Sequence, residues 1–239
     1  MTGGTGGIGR EVVRLLRERG SAVTFTYRSD APGAAVLAAA TGATAVQLDL
    51  TDAAATAALV GQVATAAGPL HTLVHAAGPH VPMRHLSAVA PADLAAQLQL
   101  DAGAFFHLVH PALPFLRAAG GSIVAVTTAA TSRFATRDGL SAVPKAAVEA
   151  LVRGLAKEEG RYGVRVNCVG PGMLSDGMAQ RLIASGELDE RALAAARDNT
   201  PLRRFGTATD VAEAVCFLAS SAAGFVTGQK LDVDGGYSA

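Results

Sequence analysis

Strands alternating with helices from end to end, a glycine-dense opening and a closing β-rich segment predict an α/β protein with a doubly wound parallel sheet. No linker-like break interrupts the pattern, so residues 1–239 are expected to form one domain with helices on both sheet faces. Ligands in such sheets bind beyond the carboxyl ends of the strands.

The opening stretch, Met1 to Gly9, satisfies two glycine spacings at once. Gly4, Gly6 and Gly9 fit G-x-G-x-x-G, while Thr2, Gly3, Gly7 and Gly9 fit T-G-x-x-x-G-x-G. Glycines at this density suit a tight turn, close backbone approach to a pyrophosphate and tight helix–strand packing, the marks of a Rossmann-like dinucleotide fold. The helix that follows places Ile8, Val12, Val13, Leu15 and Leu16 on one face and stops at Gly20. Its N-terminus aims unpaired N–H groups at an anion. Such a motif follows a strand, yet only Met1 precedes Thr2. The first strand is therefore expected to be missing or truncated, and a start codon placed too late explains this better than a fold built without its central strand.

Ala22–Tyr27 is short and β-rich, and ends in Arg28-Ser29-Asp30. In dinucleotide folds an acid about twenty residues past the glycines binds the ribose hydroxyls, whereas Arg accommodates a 2′-phosphate. Arg28 and Ser29 in that place favour NADP(H) over NAD(H), the alternative being a solvated loop cation. An Ala-rich helix from about Pro32 to Ala40 leads to a strand, Thr44–Leu48, and then to Asp49-Leu50-Thr51-Asp52, where Thr51 or Asp52 caps a helix through Ala67. Asp49 there is a ligand residue or simply a turn residue. Leu70–His75 forms the next strand and runs into Ala76-Ala77-Gly78, small enough for close ligand approach. His80, Met83, Arg84 and His85 follow in a Pro-punctuated loop, Pro79 to Pro91. A helix from about Pro91 to Phe115 breaks near Asp101–Gly103.

Gly121–Thr127 is a β-branched strand, and the polar loop Thr128 to Leu140 leads to Ser141 and a helix, Pro144–Gly160. Val164–Val169 is a strand running into Gly170-Pro171-Gly172. Met173–Arg204 is expected to be a helical, polar, lid-like segment. Asp210 is placed to cap a last helix through Ala219, before the closing strand Lys230–Val233 and Asp234-Gly235-Gly236-Tyr237.

Composition narrows the function classes. Half the residues are hydrophobic and formal net charge is zero, which favours neither nucleic acid nor an anionic membrane surface. No apolar run reaches membrane-span length and no signal peptide opens the sequence, so a cytoplasmic location is expected. Cys168 and Cys216 lie in apolar contexts without metal-ligand spacing, as buried free thiols would.

With these landmarks in view, the chain resembles the short-chain dehydrogenases/reductases, and among them is similar to 3-oxoacyl carrier-protein reductases. The matching residues run from Thr2–Gly9 through Asp49, Ala76-Ala77-Gly78, Lys145, Val166-Asn167 and Pro171-Gly172 to Thr227-Gly228 and Asp234-Gly235-Gly236. The resemblance implies that the Gly3, Gly7 and Gly9 loop, with Thr5 and Ile8, lines the pyrophosphate. It implies Arg28 at the adenosine phosphate, Asp49 and Leu50 at the adenine, Ala76, Ala77 and Gly78 beside a ribose, and Pro171 and Gly172 at the nicotinamide. It also implies a homodimer or homotetramer through the helices around Phe105–Leu116 and Pro144–Leu155, with a hetero-oligomer as the variant form.

The catalytic positions depart from that family. It uses an Asn, a Ser and a Tyr-x-x-x-Lys pair; alignment on Lys145 puts Ser141 at the Tyr, Thr128 at the Ser and Asp101 at the Asn. His75 replaces the first residue of the usual Asn-Asn-Ala-Gly or Asn-Ala-Ala-Gly signature. Thr128 keeps a hydroxyl for a carbonyl oxygen. Ser141 is the serious loss, because a phenol of pKa about 10 can be tuned toward neutrality by an ammonium and an aliphatic hydroxyl cannot. His80, His85, His107 and His110 are candidate proton shuttles. Arg133 and Asp138 either bind an acidic substrate or pair with each other. Lys145 retains a cofactor-ribose role or serves as a structural cation.

Three functions follow from different classes. The first is an NADP-dependent oxidoreductase on a small or acyl carbonyl substrate, with an altered proton donor. The second is a non-redox isomerase, dehydratase or cyclase that uses Asp101, Lys145 or a His. The third is a catalytically silent subunit of a mixed oligomer.

Overall fold

The computed structural model describes residues 1–66, 68–79, 81–175 and 190–239. Helix α1 spans Gly7–Glu18, followed by β1 (Thr24–Tyr27), α2 (Ala31–Thr41), β2 (Thr44–Gln47), α3 (Ala53–Ala66) and β3 (Thr72–His75). Then come α4 (Pro91–Leu98), a π turn (Gln99–Gly103), α5 (Ala104–Ala119), β4 (Ser122–Val126), α6 (Gly139–Glu159) and β5 (Arg165–Pro171). Helices α7 (Glu190–Asp198) and α8 (Ala208–Ala219) precede β6 (Lys230–Val233).

Every strand pairing is parallel: β1 with β2, and β3-β4-β5-β6 in that order. The opening residues join the two groups. Thr2 donates its N–H to Val74 and its carbonyl accepts from Ala76, while Gly4 donates to Thr26 and Thr26 donates to Met1. Met1–Gly4 thus stand between β1 and β3 as a truncated strand, reduced to a bridge at Thr2 and His75. The chain turns outward in both directions from this point, which makes it the switch point of a doubly wound sheet.

Side-chain alternation explains the two layers. On β4, Ile123 and Ala125 enter one core with Leu73, Phe105, Val109, Val148, Val166 and Cys168. Val124 and Val126 enter the opposite core with Val12, Val74, Val169, Val211 and Val215. The predicted apolar face of α1 supplies Val12, Val13 and Leu15 as fully buried residues, with Ile8 and Leu16 at the rim. Arg117 clamps the buried Glu159 with two bonds of 2.6 and 2.7 Å, tying α5 to the end of α6 and holding that carboxyl below its usual range. Cys168 and Cys216 are buried free thiols, and burial pushes Cys168 up to about 12.

Several boundaries correct the sequence expectations. Helix α6 begins at Gly139 rather than Pro144, so Ser141 lies in its first turn. The interior Pro144 lacks the N–H that would bond back to Leu140, which makes it resemble a helix start in the sequence. The cap of α8 is Thr207, whose hydroxyl accepts from Asp210; Asp210 returns a bond to the Thr207 N–H and completes a capping box. Asp52, not Thr51, caps α3 by accepting from Ala55. Within Met173–Arg204, Leu174 is extended and bridges to Gly206, and helix is described only over Glu190–Asp198. The remainder of that expected lid, residues 176–189, lies outside the described residues, as do Ala67 and His80.

Candidate active site

The carboxyl ends of β1, β2 and β3 and the glycine loop enclose a cleft of about 280 Å³. Of the expected cofactor residues, Gly3, Thr5, Arg28, Ser29, Asp49, Leu50, Ala76, Ala77 and Gly78 line it. Gly7, Ile8 and Gly9 stand behind it in the first turn of α1. Pro171 and Gly172 close the end of β5, two strands from β3. The sequence reading missed Thr26, Asp30, Leu48, Thr51, Pro79 and Leu100 in the lining. Each is adjacent in sequence to a flagged residue or lies at a strand end, the signal that would have found it.

Two glycines show why the loop needs them. Gly3 sits at φ +72°, and a Cβ there would stand 2.6 Å from the Ala76 oxygen and Ala77 nitrogen. A Cβ on Gly9 would collide with the Gly3 carbonyl, so only glycine lets α1 seat on the loop. Gly6 at the N-cap makes no side-chain cap bond, which leaves first-turn N–H groups of α1 for an anion. An open cleft, a glycine floor and an uncapped helix end fit the pyrophosphate of a dinucleotide.

The adenosine end carries a cation. Arg28 is exposed; its carbonyl accepts from Gln47, and its guanidinium forms no ion pair among the described residues. Asp49 accepts two bonds from Thr51, which hold its carboxyl below the usual range, with a smaller contribution from Arg28. It is therefore a turn residue as well as a cleft residue. Asp30, the nearest acid after Arg28, also lines the cleft, but its carboxylate caps α2 through Gly33 and pairs with Arg10 at 3.3 Å.

Lys145 links the cleft to the catalytic positions. Its Nζ lies where a Cβ on Gly78 would meet it at 3.5 Å, and it donates to Asp101 Oδ1 at 2.9 Å. The π turn carries Asp101 inward; the residue is 3% exposed. Ser141 stands one helical turn before Lys145, so both share a face of α6. Thr128 follows β4 and caps the short turn Ala129–Thr131 by accepting from Ala130 at 3.2 Å.

His75 is buried to 1% exposure, with Nδ1 3.0 Å from the Thr2 hydroxyl and its ring edge-on to Phe105. Its Nε2 is buried without a partner among the described residues. Burial, aided by Lys145, lowers its pKa to about 3, so the imidazole is neutral. Of the other candidate histidines, His107 bonds the Leu50 carbonyl at the adenine end, His110 tilts against Phe106, and His85 is exposed in a segment that pairs with the start of α6 through Arg84 and Asp138. Arg133 and Asp138 do not pair with each other. Arg133 donates to the Tyr237 carbonyl and covers that ring, whereas the Asp138 carbonyl accepts from the Ser141 N–H at 3.0 Å.

A glycine-floored cleft at the switch point of a parallel sheet defines a dinucleotide-binding α/β protein. The family model described as "Enoyl-(Acyl carrier protein) reductase" matches residues 3–238. The chain is 36% identical to cis-4-hydroxycyclohexanecarboxylate dehydrogenase of Sinomonas cyclohexanicum, over all of this chain and 95% of that one. It is 31% identical to L-fucose dehydrogenase of Mus musculus, over 99% of this chain and 86% of that one. A variant of a Serratia marcescens short-chain dehydrogenase/reductase superposes with a TM-score of 0.89 at 30% identity, over 100% of this chain and 96% of that one. The chain belongs to the short-chain dehydrogenase/reductase family. Its class is therefore an oxidoreductase fold that takes a nicotinamide cofactor.

Proposed function

We propose that this chain is an NADP(H)-dependent oxidoreductase that interconverts a carbonyl and a hydroxyl on a small or acyl substrate, with a proton donor other than tyrosine. The observation that carries the NADP(H) preference is Arg28 at the rim of the cleft beside an Asp30 whose carboxylate is engaged by Gly33 and Arg10. In this reading Gly3, Thr5 and the first turn of α1 hold the pyrophosphate, and Arg28 and Ser29 the 2′-phosphate. Asp49 and Leu50 border the adenine, while Ala76, Ala77, Gly78 and Lys145 flank the nicotinamide ribose. Pro171 and Gly172 border the nicotinamide.

When bound, the dinucleotide supplies or accepts hydride. The chain contributes orientation and a proton: Thr128 holds the substrate oxygen, Ser141 exchanges the proton, and Lys145, fixed by Asp101, positions the ribose. Self-association as a dimer or tetramer fits the exposed Phe106 and His110 pair on α5. Among the described residues no helix is long and apolar enough to cross a membrane.

Calorimetric titration with NADPH and then NADH tests the reading. Tight NADPH with weak NADH binding, followed by NADPH oxidation with a member of a ketone and acyl-thioester panel, is the expected result. A folded protein that binds neither dinucleotide overturns it.

A further inference from the structure

We propose that Lys230 is a positioning residue for the reaction: from β6 it holds the turn that follows Thr128 and the backbone at Gly170–Gly172 in one fixed arrangement. This rests on the oxidoreductase reading above, which puts the substrate oxygen at Thr128 and the nicotinamide at Pro171 and Gly172.

Lys230 and Asp232 alternate onto one face of β6, and in the parallel register they stand beside Cys168 and Gly170 of β5. That face lies under α6, since Cys168 packs in the core with Val148 and Val152. Inward charges on the last strand of a sheet can serve merely to discourage further pairing. Gly170 shows that this pair is seated more closely. A Cβ there would stand 2.1 Å from Asp232 Oδ1 and 2.5 Å from Lys230 Cε, so only glycine lets the two side chains lie across β5.

A charge covered in this way needs partners, and the Lys230 side chain, 16% exposed, has four. Its ammonium lies 3.0 Å from Asp232 Oδ1 and 3.4 Å from Glu149 Oε1 of α6. It donates to the hydroxyls of Thr131 and Ser132. Thr131 Oγ1 stands 2.7 Å from Glu149 Oε1 and 3.0 Å from the Thr128 carbonyl, and Ser132 donates onward to Asp232 Oδ2 at 2.8 Å. One cation thus gathers both hydroxyls at the end of the turn Ala129–Thr131, and two carboxylates fix the cation.

The turn in its place orients the reactive hydroxyl. Thr128 Oγ1 accepts from the Ala130 N–H at 3.2 Å, which leaves its own proton for a substrate oxygen. The same strand receives the nicotinamide side of the site. Gly172 donates its N–H to the Val233 carbonyl at 3.0 Å, and a Cβ on Gly172 would stand 2.7 Å from Asp234 Cα. Hydride transfer needs both partners at near-attack distance, and a misplacement of about 1 Å can cost about 10²-fold. Lys230 joins the two elements that hold those partners without itself lining the cofactor cleft.

The experiment compares wild type with Lys230→Met, Lys230→Arg, Thr131→Val and Ser132→Ala. Hydrogen exchange of the amides of residues 128–132 is read on the protein without cofactor, and kcat, KM and melting temperature are read alongside. In Lys230→Met exchange should quicken in this turn, and kcat for carbonyl reduction should fall about 10- to 10²-fold with KM for NADPH unchanged. Lys230→Arg, which keeps the charge and the donors, should recover part of that loss. A lowered melting temperature with the kcat of the folded protein unchanged would make Lys230 a stability residue and overturn the proposal. Exchange in the turn equal to wild type would overturn it as well. Should Lys230→Met not fold, Thr131→Val and Ser132→Ala decide, because each removes one anchor and leaves the buried charges paired. A fall in kcat is expected in both, and wild-type kcat in both overturns the proposal. A wild type that binds no NADPH and reduces no carbonyl removes the oxidoreductase reading instead, and the exchange measurement alone then decides whether Lys230 holds the turn.

Discussion

Lys145 and Asp101 form a buried ion pair, Nζ to Oδ1 2.9 Å, with side chains only 12% and 4% exposed. By the resemblance read from the sequence, position 101 corresponds to a neutral amide and position 141 to a phenol that a lysine ammonium helps to ionise. Here the ammonium is paired with the Asp101 carboxyl at 2.9 Å, which weakens its field at Ser141. The two departures are therefore coupled: once a hydroxyl that cannot ionise stands at 141, a free positive charge at 145 has no phenolate to stabilise.

The pair is expected to be costly to break from one side. Lys145→Ala leaves the Asp101 carboxylate buried and unpaired and should destabilise the chain by about 3–5 kcal/mol. The double variant with Asp101→Ala should lose clearly less than the sum of the single losses, which urea denaturation in a double-mutant cycle would measure. Strict additivity would mean that the two groups do not meet.

His75 predicts an acid-side slope. Its pKa is about 3 in the fold against an ordinary 6.5. The unfolded chain therefore binds a proton that the folded chain refuses between those values, and stability falls as pH drops through the window, by about 1.4 kcal/mol per pH unit at most. His75→Asn, which keeps a polar partner for Thr2, should remove that slope. Its stability relative to wild type should improve steadily from about pH 6.5 to pH 4. Parallel curves would show that His75 protonates freely in the fold.

Arg28 predicts cofactor choice. Loss of one charge-assisted hydrogen bond to a phosphate costs about 1.5–3 kcal/mol. Arg28→Ala should therefore weaken NADPH binding by about 10- to 100-fold while leaving NADH within a few-fold, as read by calorimetry. Equal weakening of both would place Arg28 at a phosphate common to the two dinucleotides.

Much of this was legible in the sequence because glycine, small residues and apolar periodicity report backbone demands directly. The glycine loop, the apolar face of α1, the strand ends at Arg28, Asp49 and Ala76, and the break at Asp101–Gly103 all carry such local signals. What stayed hidden depends on partners distant in sequence. That Met1–Gly4 still insert between β1 and β3 follows from hydrogen bonds to Thr26 and Val74. That Asp101 meets Lys145, 44 residues away, needs the π turn to aim it inward. Pro144 hid the true start of α6, and with it the places of Asp138 at its N-cap and Ser141 in its first turn.

The coupling between positions 101 and 141 gives the sharpest prediction. Ser141→Tyr alone restores a phenol but leaves it beside a lysine already neutralised by Asp101, so its pKa stays near the ordinary value of about 10. A modest gain in NADPH-dependent carbonyl reduction is expected. Asp101→Asn alone frees the ammonium but gives it only a serine hydroxyl to act upon, and little gain should follow. Together they present a phenol to an uncompensated ammonium, which lowers the phenol pKa toward the working pH. General acid catalysis by such a group is worth about 10²–10⁴-fold. The double variant should therefore exceed the product of the single effects by tenfold or more in kcat. Its rate should also follow a new titration at alkaline pH that neither single variant shows. Simple multiplication of the single effects, with no such titration, would mean that the Asp101 carboxylate leaves the lysine field at position 141 intact.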